Sequence, residues 1–268
     1  MSNNSYGIVI ATNDFENDLN PINAVLKTVK DGIYDFVQLV VFPDSYEPLH
    51  TIIAEKFKGI KTVIHAPFYM HGVDIANPDL LQSNISKLKS SQKFADLLHS
   101  EIIVIHPGVG DGEQYLNETI RQLKILNDSR AAIENLPYHP RADLKMHGST
   151  PENILKIINE TKCKFCFDFA HAICAANSLN LDIHETFQKF AKLKPDIYHL
   201  SDGEISATID LHMHLGQGNY NLQMIFQEFI QKNATITLET RRKQQSDINL
   251  CIKDAQIARK LEQNILDI

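Results

Sequence analysis

The sequence predicts an α/β fold, a single (β/α)8 barrel over residues 1–268. Three observations predict it. Eight short runs rich in Val, Ile and Phe recur along the chain. Segments with helical spacing lie between them. Side chains with metal-ligand chemistry stand at the ends of six of the runs, where a ring of parallel strands would bring them to one point. Active sites of such barrels sit on the face formed by the strand C-termini.

The first strand reads YGIVIAT, residues 6–12, and the second FVQLVVFP, residues 36–43. The others are 61–67, 101–107, 130–136, 163–170, 196–201 and 234–240. Several are continuously apolar, as expected of strands covered by helices on the outside. Leu81, Ile85, Leu88, Ala95 and Leu98 lie on one face of a helix over residues 78–99. Ile120, Leu123 and Leu126 form a stripe near 115–128, and Ile154, Ile157 and Ile158 near 151–161. Leu222, Ile225, Phe226 and Phe229 do so near 221–231, and a last helix is expected over 247–266. Asn77-Pro78-Asp79 and Thr150-Pro151-Glu152 each offer a capping side chain, a proline in the first turn and an acid behind it. The stretch YHPRADLKMHGS, residues 138–149, is the longest loop on the strand-end face and a candidate lid.

Hydrophobic residues make up 43% and charged residues 22%, the balance of an ordinary soluble domain. No apolar run is long enough to span a membrane and no signal-peptide pattern opens the chain, so a cytoplasmic location is expected. Cys163 and Cys166 are spaced as CxxC, yet residues three apart on a strand face opposite sides. With Cys174 they read as reduced core cysteines rather than a joint metal site. The net charge of −7 argues against generic nucleic-acid binding. Bases do gather near the strand-end face, as Arg141 and Lys145 in the long loop and as Arg241-Arg242-Lys243.

The ligand-type residues are His65, His106, Glu134, Asp168, His171, His199, Asp210, His212 and Glu239. They follow or end KTVIHAP, EIIVIHPG, AAIENLP, KFCFDFAH, DIYHLSD and TITLET, except Asp210 and His212, which lie in DLHMHLGQG. Imidazole nitrogens and carboxylate oxygens bind zinc and manganese-like ions. A carboxylate has two oxygens, so Glu134 can bridge two cations. Close cations can share a water, lower its pKa and hold the attacking and leaving oxygens of a phosphate ester. His50, His71, His99, His139, His147 and His184 read as structural, and His214, two residues from His212, is open to either role.

The ordered set HAPFY, IHPG, IENLP, FDFAH, YHLSD, DLHMHLGQGN and LET resembles endonuclease IV (AP endonuclease family 2), over roughly residues 60–240. More broadly it resembles the xylose-isomerase-like barrels, which include sugar isomerases and epimerases. The resemblance implies three zinc ions: one on His65, His106 and Glu134, one on Glu134, Asp168, His199 and Glu239, and one on His171, Asp210 and His212. The implied reaction is phosphodiester hydrolysis by metal-bound hydroxide. It also implies a DNA-gripping loop with Arg and Trp after the second strand, where this chain has FPDSYEPLH, and the chain has no tryptophan at all. HLSDG stands for the commoner HLNDS, and LGQG for LGEG. A small phosphorylated substrate is therefore expected ahead of abasic-site DNA. Phe68 and Tyr69 are candidates to stack on it, and Arg241 and Arg242 to bind its phosphate. The alternative is a sugar or sugar-phosphate isomerase on one manganese or magnesium ion, with Glu134 and Glu239 as the catalytic proton carriers. A non-catalytic or iron-dependent barrel is the third reading.

Overall fold

In the computed structural model, which describes residues 4–16, 19–141, 143–242 and 248–264, eight parallel strands close into a barrel in sequence order. They are β1 Ser5–Ala11, β2 Phe36–Val40, β3 Thr62–His65, β4 Ile103–Ile105, β5 Ala131–Glu134, β6 Lys164–Asp168, β7 Ile197–Leu200 and β8 Thr235–Leu238. β1 pairs with both β2 and β8, which closes the ring. Parallel neighbours need crossovers, and helices supply them. These are α1 Asn20–Lys30, α2 Tyr46–Lys56, α3 Leu81–Leu98, α4 Glu113–Leu126, α5 Pro151–Thr161, α6 Phe169–Leu179 and α7 Ile183–Ala191. After β7 comes the short α8 Leu222–Met224, and α9 Ile248–Asn264 follows β8. The (β/α)8 expectation is borne out.

The predicted strands overshoot. Pro67 and Pro107 lack an N–H and cannot extend the ladder, so β3 stops at His65 and β4 at Ile105. Phe169 and Ala170, predicted as strand, already belong to α6. The expected helix over 221–231 is α8 running into a π-helical turn, Ile225–Phe229. The expected helix over 78–99 begins as a 3-10 turn, Pro78–Leu80, with Asn77 Oδ1 accepting from Asp79 N at 3.0 Å. Residues 247, 265 and 266 of the expected last helix lie outside the described residues. The spacing analysis missed α1, α2, α6 and α7. In α2 only Ile53 is buried, and in α6 eight of eleven residues are, so neither shows a stripe.

Inside the ring, Phe36, Val63, Val104, Ala132, Cys166 and Ile197 form one buried layer, one residue from each of β2 to β7. Side chains on a strand alternate faces with a period of two. Two residues further along each strand come Gln38, His65, His106, Glu134, Asp168 and His199. The apolar layer is thus the floor, and the polar residues stand on it. Gly7 makes room for that floor: a Cβ there would lie 2.1 Å from the Phe36 ring. Outside the ring, Phe165, Phe167, Phe169, Phe187, Phe190 and Tyr198 pack β6 and β7 against α6 and α7. Truncating one such ring to alanine costs about 3–5 kcal/mol.

Candidate metal centre

The floor and the turns above it bring all nine ligand-type residues together. Glu134, fully buried at the end of β5, is the hub. Its Oε1 accepts from His199 Nδ1 at 2.9 Å and lies 3.4 Å from His171 Nδ1. Its Oε2 lies 3.0 Å from His106 Nε2 and 3.4 Å from His65 Nε2. His199 Nδ1 is also 3.3 Å from Glu239 Oε1 and 4.0 Å from Asp168 Oδ2. Asp210 Oδ2 lies 3.0 Å from His212 Nε2 and 3.5 Å from His171 Nε2. Ligand-type atoms within 4.8 Å of one another fall into the groups His65, His106, Glu134; Glu134, Asp168, His199, Glu239; and His171, Asp210, His212.

Local structure explains each placement. Asp168 ends β6 and caps α6, accepting from His171 N at 2.7 Å, so no loop separates the strand from the helix and His171 is fixed one turn on. Asn135 pairs with Asp168 through both backbone groups, each at 2.8 Å. His212 has a positive φ of 47°, a strained backbone of the kind found at functional sites. An Asp210 Oδ1 contact to His212 N at 2.9 Å steadies it. The loop carrying both is tied down by Asp202, whose carboxylate accepts from Gly203, Gly216, Gly218 and Tyr220 N–H groups. A Cβ on Gly218 would sit 2.3 Å from Gly203 O.

Three of the five imidazoles are oriented as ligands usually are, with one ring nitrogen spent on a backbone carbonyl, whereas His106 Nδ1 is buried without a partner. Nδ1 of His65 donates to Ala66 O, of His171 to Asn135 O and of His212 to Glu239 O, at 2.8–2.9 Å. In the neutral rings Nε2 is then a bare lone pair turned toward carboxylate oxygen. Glu134 Oε2 and Asp210 Oδ2 are buried without a hydrogen-bond partner. Lone pairs facing lone pairs in a buried cluster are repulsive unless a proton or a cation lies between them, so these residues fit a metal site.

The electrostatics agree. Burial raises Asp168, and the Asp210 and Glu134 carboxylates add to it against His171, giving about 7. Burial would lower His171, yet Asp168, Glu134 and Asp210 outweigh it and push it up to about 9. Burial likewise opposes protonation of His199, but Cys166, Glu239 and Glu134 hold its pKa well above the usual value. Burial alone would raise Glu134, and the imidazoles of His199 and His106 keep it well below the carboxylate range. The buried carboxylates thus favour positive charge at His171 and His199, inside the cluster.

The centre opens into a cavity of about 570 Å³. Phe42, Phe68, Tyr69 and His71 line one wall, and Arg141 and Arg241 are its only Arg or Lys side chains among the described residues. Arg242, expected beside Arg241, does not line it. Its guanidinium lies 3.0 Å from Val9 O and 3.6 Å from Asp14, and is spent there. Lys243 lies outside the described residues. Lys145 faces Asp111 at 3.8 Å and the Tyr138 ring instead. The long loop after β5 contributes Pro140, Arg141 and Met146 to the cavity. It is pinned by Met146 N to Tyr138 O at 2.9 Å and Gly110 N to Lys145 O at 2.8 Å.

Cys163 packs on the outer core and Cys166 on the inner floor, as the strand alternation requires. Cys166 does reach Glu134 and His199, its sulfur within 4.8 Å of their ligand atoms. His214 bonds Asp254 at 2.6 Å and anchors the loop to α9, away from the three groups. Sequence reasoning missed Gln38. Its Oε1 accepts from His199 Nε2 and Thr237 Oγ1, both at 2.9 Å, and its Nε2 donates to Glu239. A glutamine inside the apolar run FVQLVVFP was the available signal.

The family described as xylose isomerase-like TIM barrel matches residues 29–262, and the chain belongs to it. The motif resemblance is borne out at that level. An endonuclease 4 of Thermus thermophilus is 25% identical over 242 residues, covering 84% of this chain and 88% of its own. Among solved structures, a D-tagatose 3-epimerase-like protein superposes with a TM-score of 0.77 at 18% identity, over 98% of both chains. A crystal structure of endonuclease IV from Thermus thermophilus gives 0.64 at 19% identity, over 98% of this chain and 99% of its own. Among the described residues no helix is long and apolar enough to cross a membrane.

Proposed function

We propose that this xylose isomerase-like barrel is a multinuclear metal-dependent phosphoesterase, with two or three zinc ions and a small phosphorylated substrate. The observation that carries the reading is that the nine His, Asp and Glu residues divide into three groups, two of which share Glu134, with Cys166 forming a further grouping on Glu134 and His199. One ion would be served by Glu134, Asp168, His199 and Glu239. His65 and His106 on one side, and His171, Asp210 and His212 on the other, would then be surplus. Similarity to the Thermus endonuclease 4 supports the hydrolytic class.

When bound, the ions would polarise phosphoryl oxygens and lower the pKa of a water. The chain's own residues do the rest. Arg141 and Arg241 line the cavity, and in this reading their guanidiniums would take a phosphoryl group. Phe68 and Tyr69 offer apolar faces for the organic part, and Leu136, Pro137 and Met146 narrow the water-accessible space. Glu239 lines the cavity with Oε1 engaged by Gln38, and its second oxygen is the proton carrier of this scheme.

The second reading is a sugar isomerase or epimerase on one manganese or magnesium ion. The quartet Glu134, Asp168, His199, Glu239 favours it, as does the epimerase-like fold neighbour. The deciding assay compares bis(4-nitrophenyl) phosphate, abasic-site duplex DNA and ketose or aldose sugars on the metal-loaded protein. Phosphodiester turnover without sugar interconversion is expected. Robust sugar interconversion with no phosphoesterase activity overturns the proposal.

A further inference from the structure

His71 lies outside the ligand set, and its place in the sequence gives it no role. Its setting is that of a built contact. The 3-10 turn Tyr69–His71 is closed by His71 N to Phe68 O at 2.7 Å, and Gly72 follows at φ +70° with its carbonyl held by Lys87 Nζ at 2.7 Å. The imidazole is clamped between Phe42 and Phe68, with ring centroids 4.2 and 4.4 Å away. Phe68 N donates to its Nδ1 at 3.4 Å. Nδ1 is therefore the lone-pair nitrogen, and the proton of the neutral ring is on Nε2. Nε2 has no hydrogen-bond partner among the described residues, and the ring lines the cavity that opens over His65 and His106.

We propose that His71 is a substrate-contacting, specificity-determining residue whose Nε2–H donates to an oxygen of the bound phosphoryl group. This rests on the phosphoesterase reading. Arg141 and Arg241 bring charged donors on long side chains. A neutral N–H on a ring packed between two aromatic neighbours brings direction. Burial, with His65 and His106 nearby, pushes the His71 pKa down to about 4, so the donor adds no further positive charge to a site holding cations. The ring is half-buried in the free cavity, and a bound ligand would cover its Nε2–H, so a ligand without a matching acceptor would leave it unpaired.

The test uses zinc-loaded protein and inorganic phosphate. Long-range 15N–1H spectra of histidine-labelled protein at pH 7 should show His71 as the Nε2–H tautomer, and the Nδ1–H tautomer overturns the proposal. Calorimetry should give phosphate binding that weakens about tenfold or more in His71→Phe, which keeps an aromatic ring between Phe42 and Phe68 and loses the donor. His71→Gln, which restores an N–H at similar reach, should return to within about threefold of the parent. Metal content and melting temperature identify any variant that has merely unfolded, and the tautomer spectrum of the parent does not depend on either variant. Equal phosphate binding by His71→Phe and the parent overturns the role of His71 alone. No phosphate binding by the parent overturns the phosphoesterase reading and this assignment with it.

Discussion

Gln38 Oε1 accepts from His199 Nε2 at 2.9 Å, deep in the barrel and two residues above the floor residue Phe36. That bond fixes the ring so that Nδ1 faces Glu134 and Glu239. Partners of this kind set the tautomer of a ligand, and losing one typically costs 10–100-fold in metal affinity. Gln38→Leu should weaken metal binding by about that factor in a competition titration with a chromophoric chelator. Parental affinity would show that the bond only fills space.

Removing metal should leave a protein whose stability falls as pH rises. His171 sits at about 9 when folded against 6.5 unfolded, so its protonated pairing stabilises fully below about 6.5 and is lost as pH approaches 9. Asp168 sits at about 7 against 3.8, so the folded state also binds the extra proton there, and stability declines from about pH 4 to pH 7. Metal binding must displace the His171 proton, so affinity should rise with pH toward 9. Melting curves of the chelator-treated and loaded protein across pH 5–9 check both. A metal-free melting temperature that rises with pH contradicts the charge arrangement described here.

Arg241 and Arg242 are adjacent in sequence and should behave differently. Arg241 lines the cavity, and Arg241→Ala should lower kcat/KM for a phosphorylated substrate by roughly 10- to 100-fold, the equivalent of the about 1.5–3 kcal/mol of a charge-assisted hydrogen bond, with metal content unchanged. Arg242 ties Val9 O and Asp14 across the barrel, so Arg242→Ala should lower the melting temperature instead. Interchanged phenotypes would show that the two side chains had been assigned the wrong way round.

Duplex DNA should bind weakly. Only residues 41–45 join β2 to α2, so no loop projects from that edge to grip a backbone, and Asp44 lies within it. Fluorescence anisotropy with undamaged duplex at physiological salt should show weak or undetectable binding. Tight binding to abasic DNA that falls steeply with salt would restore DNA repair as the assignment.

The barrel was legible because its signals are local. Each of the eight apolar runs overlaps a strand, and His65, His106, Glu134, Asp168, His199 and Glu239 mark where the chain leaves the sheet. Strand ends were less legible, since apolar residues such as Phe169 serve a buried helix as well as a strand. Helices buried on most sides, as α6 is, or on almost none, as α2 is, carry no stripe to read. The convergence of His65, His106 and Glu134 followed from one register position on three strands. Gln38 occupies that same position on β2, but an amide carries no charge and is a weak metal ligand, so the apolar run gives it no ligand signature. His71 and Arg242 depended on which way a side chain turns after the strand ends, which tertiary packing decides.

In the proposed centre Glu134 joins two ion sites, and metal content per chain tests this most directly. Elemental analysis of protein purified without added metal should give two or three zinc ions. Glu134→Gln, in which one ligating oxygen becomes a poorly ligating amide nitrogen, should lose more than one of them. Parental metal content in that variant, or loss of only the ion assigned to His171, Asp210 and His212, would contradict the account.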